Sequence, residues 1–238
     1  MTTTMPISAL PSGPAGDHPV VERRGILFIV SAPSGTGKTT LCKQIATSVP
    51  GLWHSVSVTT RKPRVGEEGG REYFFVEEKT FQDMVARHEF LEYAHVYGNW
   101  YGTPRKALMD KMDQGIDVLM EIDVQGALQI KKKIEDAVYI FILPPSMDAL
   151  RLRLESRASD SPEEILRRLQ KVKEEVWSFR EYYYIVRNDD LTQSLRELQC
   201  IFLAERLKTK RLNMNWLEQN FILDKETKQI TRDTSTTK

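Results

Sequence analysis

Cysteine is scarce: Cys42 and Cys200 are the only two in 238 residues. Two thiols so far apart in sequence form no disulfide framework, and they point to a reducing, cytoplasmic setting. Histidine is nearly as scarce. His18, His54, His88 and His95 show no metal-ligand spacing with one another or with the cysteines, so they read as surface or packing residues. An excess of one charge is missing too, since 34 Lys and Arg against 33 Asp and Glu leave +1. That balance gives no long-range pull toward nucleic acid or an anionic membrane. No apolar run approaches the length of a membrane span. The first residues lack a basic start followed by an apolar core, which excludes a secretory signal. Pro6, Pro11, Pro14 and Pro19 among Ser, Thr and Gly instead predict a disordered extension over residues 1–24. There is no internal repeat. What is present, 40% hydrophobic and 28% charged residues, suits one globular domain with room for inserted parts.

The strongest local signal is Ser31-Ala32-Pro33-Ser34-Gly35-Thr36-Gly37-Lys38-Thr39-Thr40. It follows the apolar run Ile26 to Val30 and leads into a helical pattern with Leu41 and Ile45 four apart. Strand, small-residue turn and helix are the context of a phosphate-binding loop. Glycines turn backbone N–H groups inward around an anion, and the helix N-terminus adds partial positive charge. Lys38 would reach the outer phosphates and Thr39 would hold Mg²⁺. The strict pattern wants glycine where Ala32 stands, while Gly35, Gly37, Lys38 and Thr39 all fit. Cys42, in the following helix, reads as a small buried thiol.

Further along, Ser55 to Thr60 alternates and is β-branched before Arg61-Lys62-Pro63-Arg64 turns basic. Glu72 to Val76 reads as a strand, Thr80 to Arg87 as a short helix and Phe90 to Tyr97 as another strand. Gly98 to Pro104 reads as a turn, with Pro104 opening a helix through Met112. Asp117 to Asp123 is an apolar run ending in carboxylates, as in a parallel strand buried on both faces and opening on a ligand crevice. A helix from Gln125 to Lys133 and a strand from Val138 to Leu143 follow. Next come two basic helices, the first over Met147 to Ser156. The second opens at Ser161-Pro162-Glu163-Glu164, a capping signature. Tyr182 to Val186 is the last strand, and Leu191, Leu195, Leu198 and Phe202 mark a closing helix. The fold class expected is α/β: a phosphate-loop core with a parallel sheet flanked by helices, an inserted mixed β domain and a helical lid. The core takes residues 25–54, 107–146 and 176–208, the insertion 55–106, the lid 147–175 and a polar tail 209–238.

Several segments in this order resemble guanylate kinase, over roughly residues 25 to 207. Ser57-Val58-Thr59-Thr60-Arg61-Lys62-Pro63-Arg64-Val65-Gly66-Glu67, with Tyr73 downstream, looks like that family's monophosphate motif. Gly98-Asn99-Trp100-Tyr101-Gly102-Thr103 and Glu121-Ile122-Asp123-Val124-Gln125-Gly126 are two more. The resemblance implies transfer of a phosphoryl group from ATP to GMP, and to dGMP, in purine metabolism, with Mg²⁺. It also implies three parts: a core, a GMP-binding insertion and a lid that closes over ATP.

Residue chemistry agrees. Guanine offers donors at N1 and N2 and an acceptor at O6. Glu92 and Asp123 can accept, and Ser57 and Thr103 can donate; by resemblance these four line the base pocket. Arg61 and Arg64 can fork onto the GMP phosphate, with Tyr73 and Tyr101 adding hydroxyl donors. ATP would lie on residues 32–40, with Asn188 near the adenine. Arg187 stands where the family usually has an apolar residue. Arg153, Arg157 and Arg168 match the family's lid arginines, and with Lys38 they would stabilise the charge of a loose transition state. Arg151 and Arg167 lie on other faces. Glu121 and Asp123 point the same way along a strand. One could orient a Mg²⁺-bound water while the other meets guanine, and the sequence leaves the roles undivided. The rival readings are a guanylate-kinase-like module that binds a protein partner without catalysis, and a GTP-hydrolysing switch. The second needs an Asn-Lys-x-Asp tetrapeptide, and none occurs. Monomer and homo-oligomer both stay open.

Overall fold

The chain of this computed structural model begins with β1 (Leu27–Ser31), α1 (Lys38–Ser48) and β2 (Leu52–His54). It continues through β3 (Ser57–Thr59), β4 (Tyr73–Phe75), α2 (Glu78–Ala86), β5 (Phe90–Val96), β6 (Asn99–Pro104) and α3 (Arg105–Asp113). Then come β7 (Asp117–Glu121), α4 (Val124–Lys131), β8 (Val138–Leu143), α5 (Met147–Glu155), α6 (Pro162–Val176), β9 (Tyr184–Arg187) and α7 (Leu191–Arg206). The structure describes residues 23–96, 98–155 and 162–222. Residues 24–208 form one unit, and residues 209–222 are short helical turns of a second. Among the described residues no helix is long and apolar enough to cross a membrane.

The main sheet has the order β2-β7-β1-β8-β9, and every pair in it is parallel. β1 is fully buried, so its alternate side chains feed two cores. Phe28 and Val30 pack with Leu41, Ile45, Leu198 and Phe202 from α1 and α7. Leu27 and Ile29 pack with Leu108, Met112, Ala127 and Ile130 from α3 and α4. Cys42 lies in the first core with no exposure, as its helical position predicts.

The second sheet, β4-β3-β6-β5, is mixed: β3 and β4 run parallel, while β6 runs antiparallel to β3 and β5. Val58, Phe81 and Phe90 form its own small core. α5 and α6 carry another, built from Leu150, Leu154, Leu169 and Val172.

Three expectations change. Asp123, expected to point the same way as Glu121 along one strand, lies past the end of β7 at Glu121 and caps α4 instead, because the chain turns into the helix there. Residues 99–104, read as a turn, are strand β6, and the turn shrinks to Gly98 at φ +79°. Gly102 and Pro104 suggest a break, but antiparallel pairing with β5 satisfies the backbone and outweighs local propensity. β2 has no counterpart in the sequence reading. Three half-buried residues are too short to show a pattern, and only pairing with β7 defines them.

Candidate active site

Gly35 and Gly37 adopt φ of +86° and +94°, which L side chains resist. Space matters as well. A methyl group on Gly37 would sit 2.6 Å from Asn188 Nδ2, and one on Gly35 would sit 2.9 Å from both Leu150 and Leu154. Among the described residues only His88 combines positive φ with a side chain, so Ala32 carries no such strain. Ala32 and Pro33 are buried, and Ala32 joins the core of β1. The absent first glycine is therefore a packed methyl. Thr36 closes the loop by donating from Oγ1 to the Pro33 carbonyl at 2.7 Å. Ser34 is half-buried and Thr40 exposed.

Two side chains from distant elements grip this loop. Asn188 Nδ2 donates to the Thr36 carbonyl at 2.7 Å. Arg153 donates to the same carbonyl at 3.2 Å and to the Asn188 carbonyl at 2.9 Å. A cavity of ≈ 330 Å³ opens here, lined by Gly35, Gly37, Thr40, Arg153 and Asn188 among others. Arg187 leaves Asn188 undisturbed. It projects outward and pairs with Asp189 at 2.5 Å, while Asn188 N–H holds the Leu143 carbonyl at 2.8 Å.

At the start of α1, Lys38 Nζ lies 3.4 Å from Glu121 Oε1, and Thr39 Oγ1 donates to the same oxygen at 2.5 Å. Burial pushes the Glu121 carboxyl up, but Lys38 and Thr39 together hold it below its ordinary range. For Lys38 burial works downward, and Glu121 with its neighbours outweighs that, leaving the ammonium charged. His54, taken from sequence as a surface or packing residue, sits on this cluster, with Nε2 3.7 Å from Glu121 Oε2. Burial, with Lys38 and Lys43 nearby, lowers its pKa and favours neutral imidazole. Nothing near His54 in the sequence signals this, because the contact depends on β2 pairing with β7.

The expected base-pocket residues come together. Thr103 Oγ1 donates to Glu92 Oε1 at 2.7 Å, and Ser57 Oγ lies 3.3 Å from Thr103 Oγ1. Glu92 is 4% exposed; burial pushes its pKa up to about 7, with the charge of Asp123 adding to the rise against the pull of Thr103. Asp123 caps α4 by accepting the Gly126 N–H at 2.8 Å, and its buried Oδ2 has no hydrogen-bond partner. Both carboxylates border Gly126. A methyl group there would lie 2.5 Å from Glu92 Oε2 and 3.4 Å from Asp123 Oδ1. The sequence signals this only faintly, through a glycine inside a helix.

Beside this pocket Arg61 lies over the Tyr73 ring, 5.4 Å from its centroid, and Tyr73 meets Tyr101 edge-on at 5.8 Å. Glu67 organises the turn: Oε1 accepts from Arg61 at 2.9 Å and Oε2 from the Arg64 backbone N–H at 2.7 Å. The Arg64 side chain is exposed. Lys43 and Glu72 join α1 to the insertion at 3.0 Å. Arg168 is half-buried on α6, whereas Arg157 lies outside the described residues, as does the Ser161 cap. Glu175, near the end of α6, is half-buried; burial raises its pKa, and the charge of Asp123 adds to the rise.

Among the described residues no group of three or more His, Cys, Asp or Glu side chains is placed to hold a metal ion. Thr39 and Glu121 offer oxygen ligands only, which fits a hard ion that takes most of its shell from phosphates and water.

The family model for guanylate kinase matches residues 24–205. The chain is 44% identical to the guanylate kinase of Carboxydothermus hydrogenoformans, over 85% of this chain and 99% of that one. It is 48% identical to that of Geobacter metallireducens, over 81% and 95%. The crystal structure of guanylate kinase from Anaplasma phagocytophilum superposes with a TM-score of 0.70 at 33% identity, covering 86% of this chain and all of that one.

Proposed function

Because this chain belongs to the guanylate kinase family, we propose that it transfers the γ-phosphoryl group of ATP to GMP, and to dGMP, giving ADP and the diphosphate. One observation carries the base assignment: Glu92 and Asp123 both border Gly126, and Glu92 is joined through Thr103 to Ser57. That set presents acceptors to guanine N1–H and N2–H and a hydroxyl to O6. Adenine, with a lone pair at N1, would face a carboxylate. A site with unpaired polar groups against the wrong base rejects it strongly.

The mechanism is alignment and charge. The loop over residues 32–40, whose N–H groups past Pro33 are held open by Gly35 and Gly37, takes the ATP phosphates, with the adenine in the cavity beside Asn188. Arg61, Arg64, Tyr73 and Tyr101 hold the GMP phosphate. Lys38 follows the transferred phosphoryl. Arg153 stands next to it, with Arg157 and Arg168 as further lid arginines. Thr39 would hold Mg²⁺, with Glu121 or Asp123 meeting it through water. The ion would neutralise phosphate charge when bound. Residues 55–106 act as the GMP-binding insertion, 147–175 as the lid, and 25–54, 107–146 and 176–208 as the core of a phosphate-loop enzyme. The two reduced cysteines support a cytoplasmic setting in purine nucleotide metabolism. Retention of Lys38, Thr39, Arg61 and Arg153 disfavours the non-catalytic module.

A coupled assay with ATP and each of GMP, AMP, CMP and UMP tests the reading. GMP should be turned over far faster than the rest. Equal rates with AMP would overturn the roles of Glu92 and Asp123.

A further inference from the structure

β5 is the edge of the second sheet. An edge strand leaves one row of backbone groups unpaired. Here that row meets α4 and the turn after it instead of another strand. Lys133 Nζ donates to the Leu91 carbonyl at 2.7 Å. Gln129 donates from Nε2 to the Tyr93 carbonyl at 2.7 Å and accepts the Tyr93 N–H on Oε1 at 3.4 Å. Gln129 thus imitates a paired strand in both directions. The two anchored residues, Leu91 and Tyr93, flank Glu92 on either side.

The same stretch of chain carries the other carboxylate. Asp123 caps α4, Gly126 makes room for Glu92, and Gln129 follows three residues on, along the same side of the helix. Lys133 lies in the turn just past the end of α4, tied to it by its N–H on the Ile130 carbonyl at 2.8 Å. A helix is a stiff rod of fixed rise, so its N-cap, its side chains and the turn anchored on its last residues keep their separation.

We propose that Gln129 and Lys133 are positioning residues for base recognition: they lock the β5 backbone on both sides of Glu92 to α4 and the turn that ends it, and so set the separation of Glu92 and Asp123. This rests on the guanine reading above. The clasp costs Glu92 nothing electrostatically, since the Lys133 ammonium favours its ionised form against burial. It also makes this end of the insertion the fixed end. A second strap to the core, Lys43 to Glu72, is a single ion pair with Lys43 half in solvent.

The test is steady-state kinetics on the full chain with Gln129→Leu, Lys133→Met, the double variant and Lys133→Arg. Each single loss should raise KM for GMP by roughly fivefold, the scale of one net hydrogen bond, and the double variant by more than tenfold. KM for ATP and kcat at saturating GMP should stay within about twofold, and Lys133→Arg, which still donates to a carbonyl, should recover most of the loss. Thermal melts report folding. If the Leu variant melts early, Lys133→Met carries the test, because Lys133 is exposed. Unchanged KM for GMP, an equal rise in both KM values, or Lys133→Arg as defective as Lys133→Met would overturn the proposal. A wild-type chain that turns over ATP but not GMP would remove the guanine reading and this proposal with it.

Discussion

The two halves of the site treat their charges in opposite ways. On the loop side, polar groups already satisfy one another: Glu121 has Lys38 and Thr39, and the Thr36 carbonyl has Asn188 and Arg153. In the base pocket the acceptors are only partly satisfied. Glu92 is buried with its pKa pushed up to about 7, and Asp123 Oδ2 has no hydrogen-bond partner. A site for a highly charged, mobile phosphate gains from a self-neutralised resting state. A site that must select one base gains from acceptors that only the right donors satisfy, because the wrong base then leaves them unpaired.

If the loop side is the chemical half, Lys38→Ala should give the largest effect. Turnover should fall by at least ~10²–10³-fold with the fold retained, measured by the coupled assay beside thermal melts. Near-normal turnover would erase the contrast.

Glu92→Gln tests the other half. KM for GMP should rise by about 10²-fold while KM for ATP holds, since a charge-assisted acceptor for guanine is lost. Stability should move the opposite way. The folded pKa, about 7, lies above the 4.5 of an ordinary glutamate, so the native state binds the proton more tightly. Glu92's contribution is fully present below about pH 4.5 and is lost as pH rises through 7. At pH 8 the Gln variant should therefore be more stable than wild type, by up to about 3 kcal/mol, in urea melts. The difference should vanish near pH 4.

The loop can be sharpened with two small substitutions. Gly37→Ala forces a methyl onto Asn188 at positive φ and should cost roughly 1–3 kcal/mol and weaken ATP binding. Ala32→Gly restores the strict motif, yet should change turnover less than about twofold. It should lower stability by about 0.4–1 kcal/mol, since Ala32 is packed and unstrained. Smallest is Lys43→Ala, which cuts the exposed strap to Glu72. KM for GMP should change less than about threefold, and less still at high salt.

Much of this was legible from residues 26–40 alone. A buried strand, a glycine loop and an amphipathic helix are patterns of nearest neighbours, and short-range sterics and periodicity suffice to read them. Glu92, Thr103, Ser57 and Asp123 were nameable because a family resemblance spans their separation in sequence. β6 was misread because Gly98, Gly102 and Pro104 weigh on local propensity, while its partner strand decides its state. His54, Glu67, Gly126, Gln129 and Lys133 gave no more than faint signals, since each acts through an element remote in sequence or through a turn that only the fold completes. The chain by itself determined which loop, carboxylate, hydroxyl and guanidinium groups were available for the proposed site. Only the tertiary structure decided that one loop would rest neutralised and one pocket would keep acceptors in reserve. Burial and pairing between distant strands set those energies, and neither is a property of a residue alone.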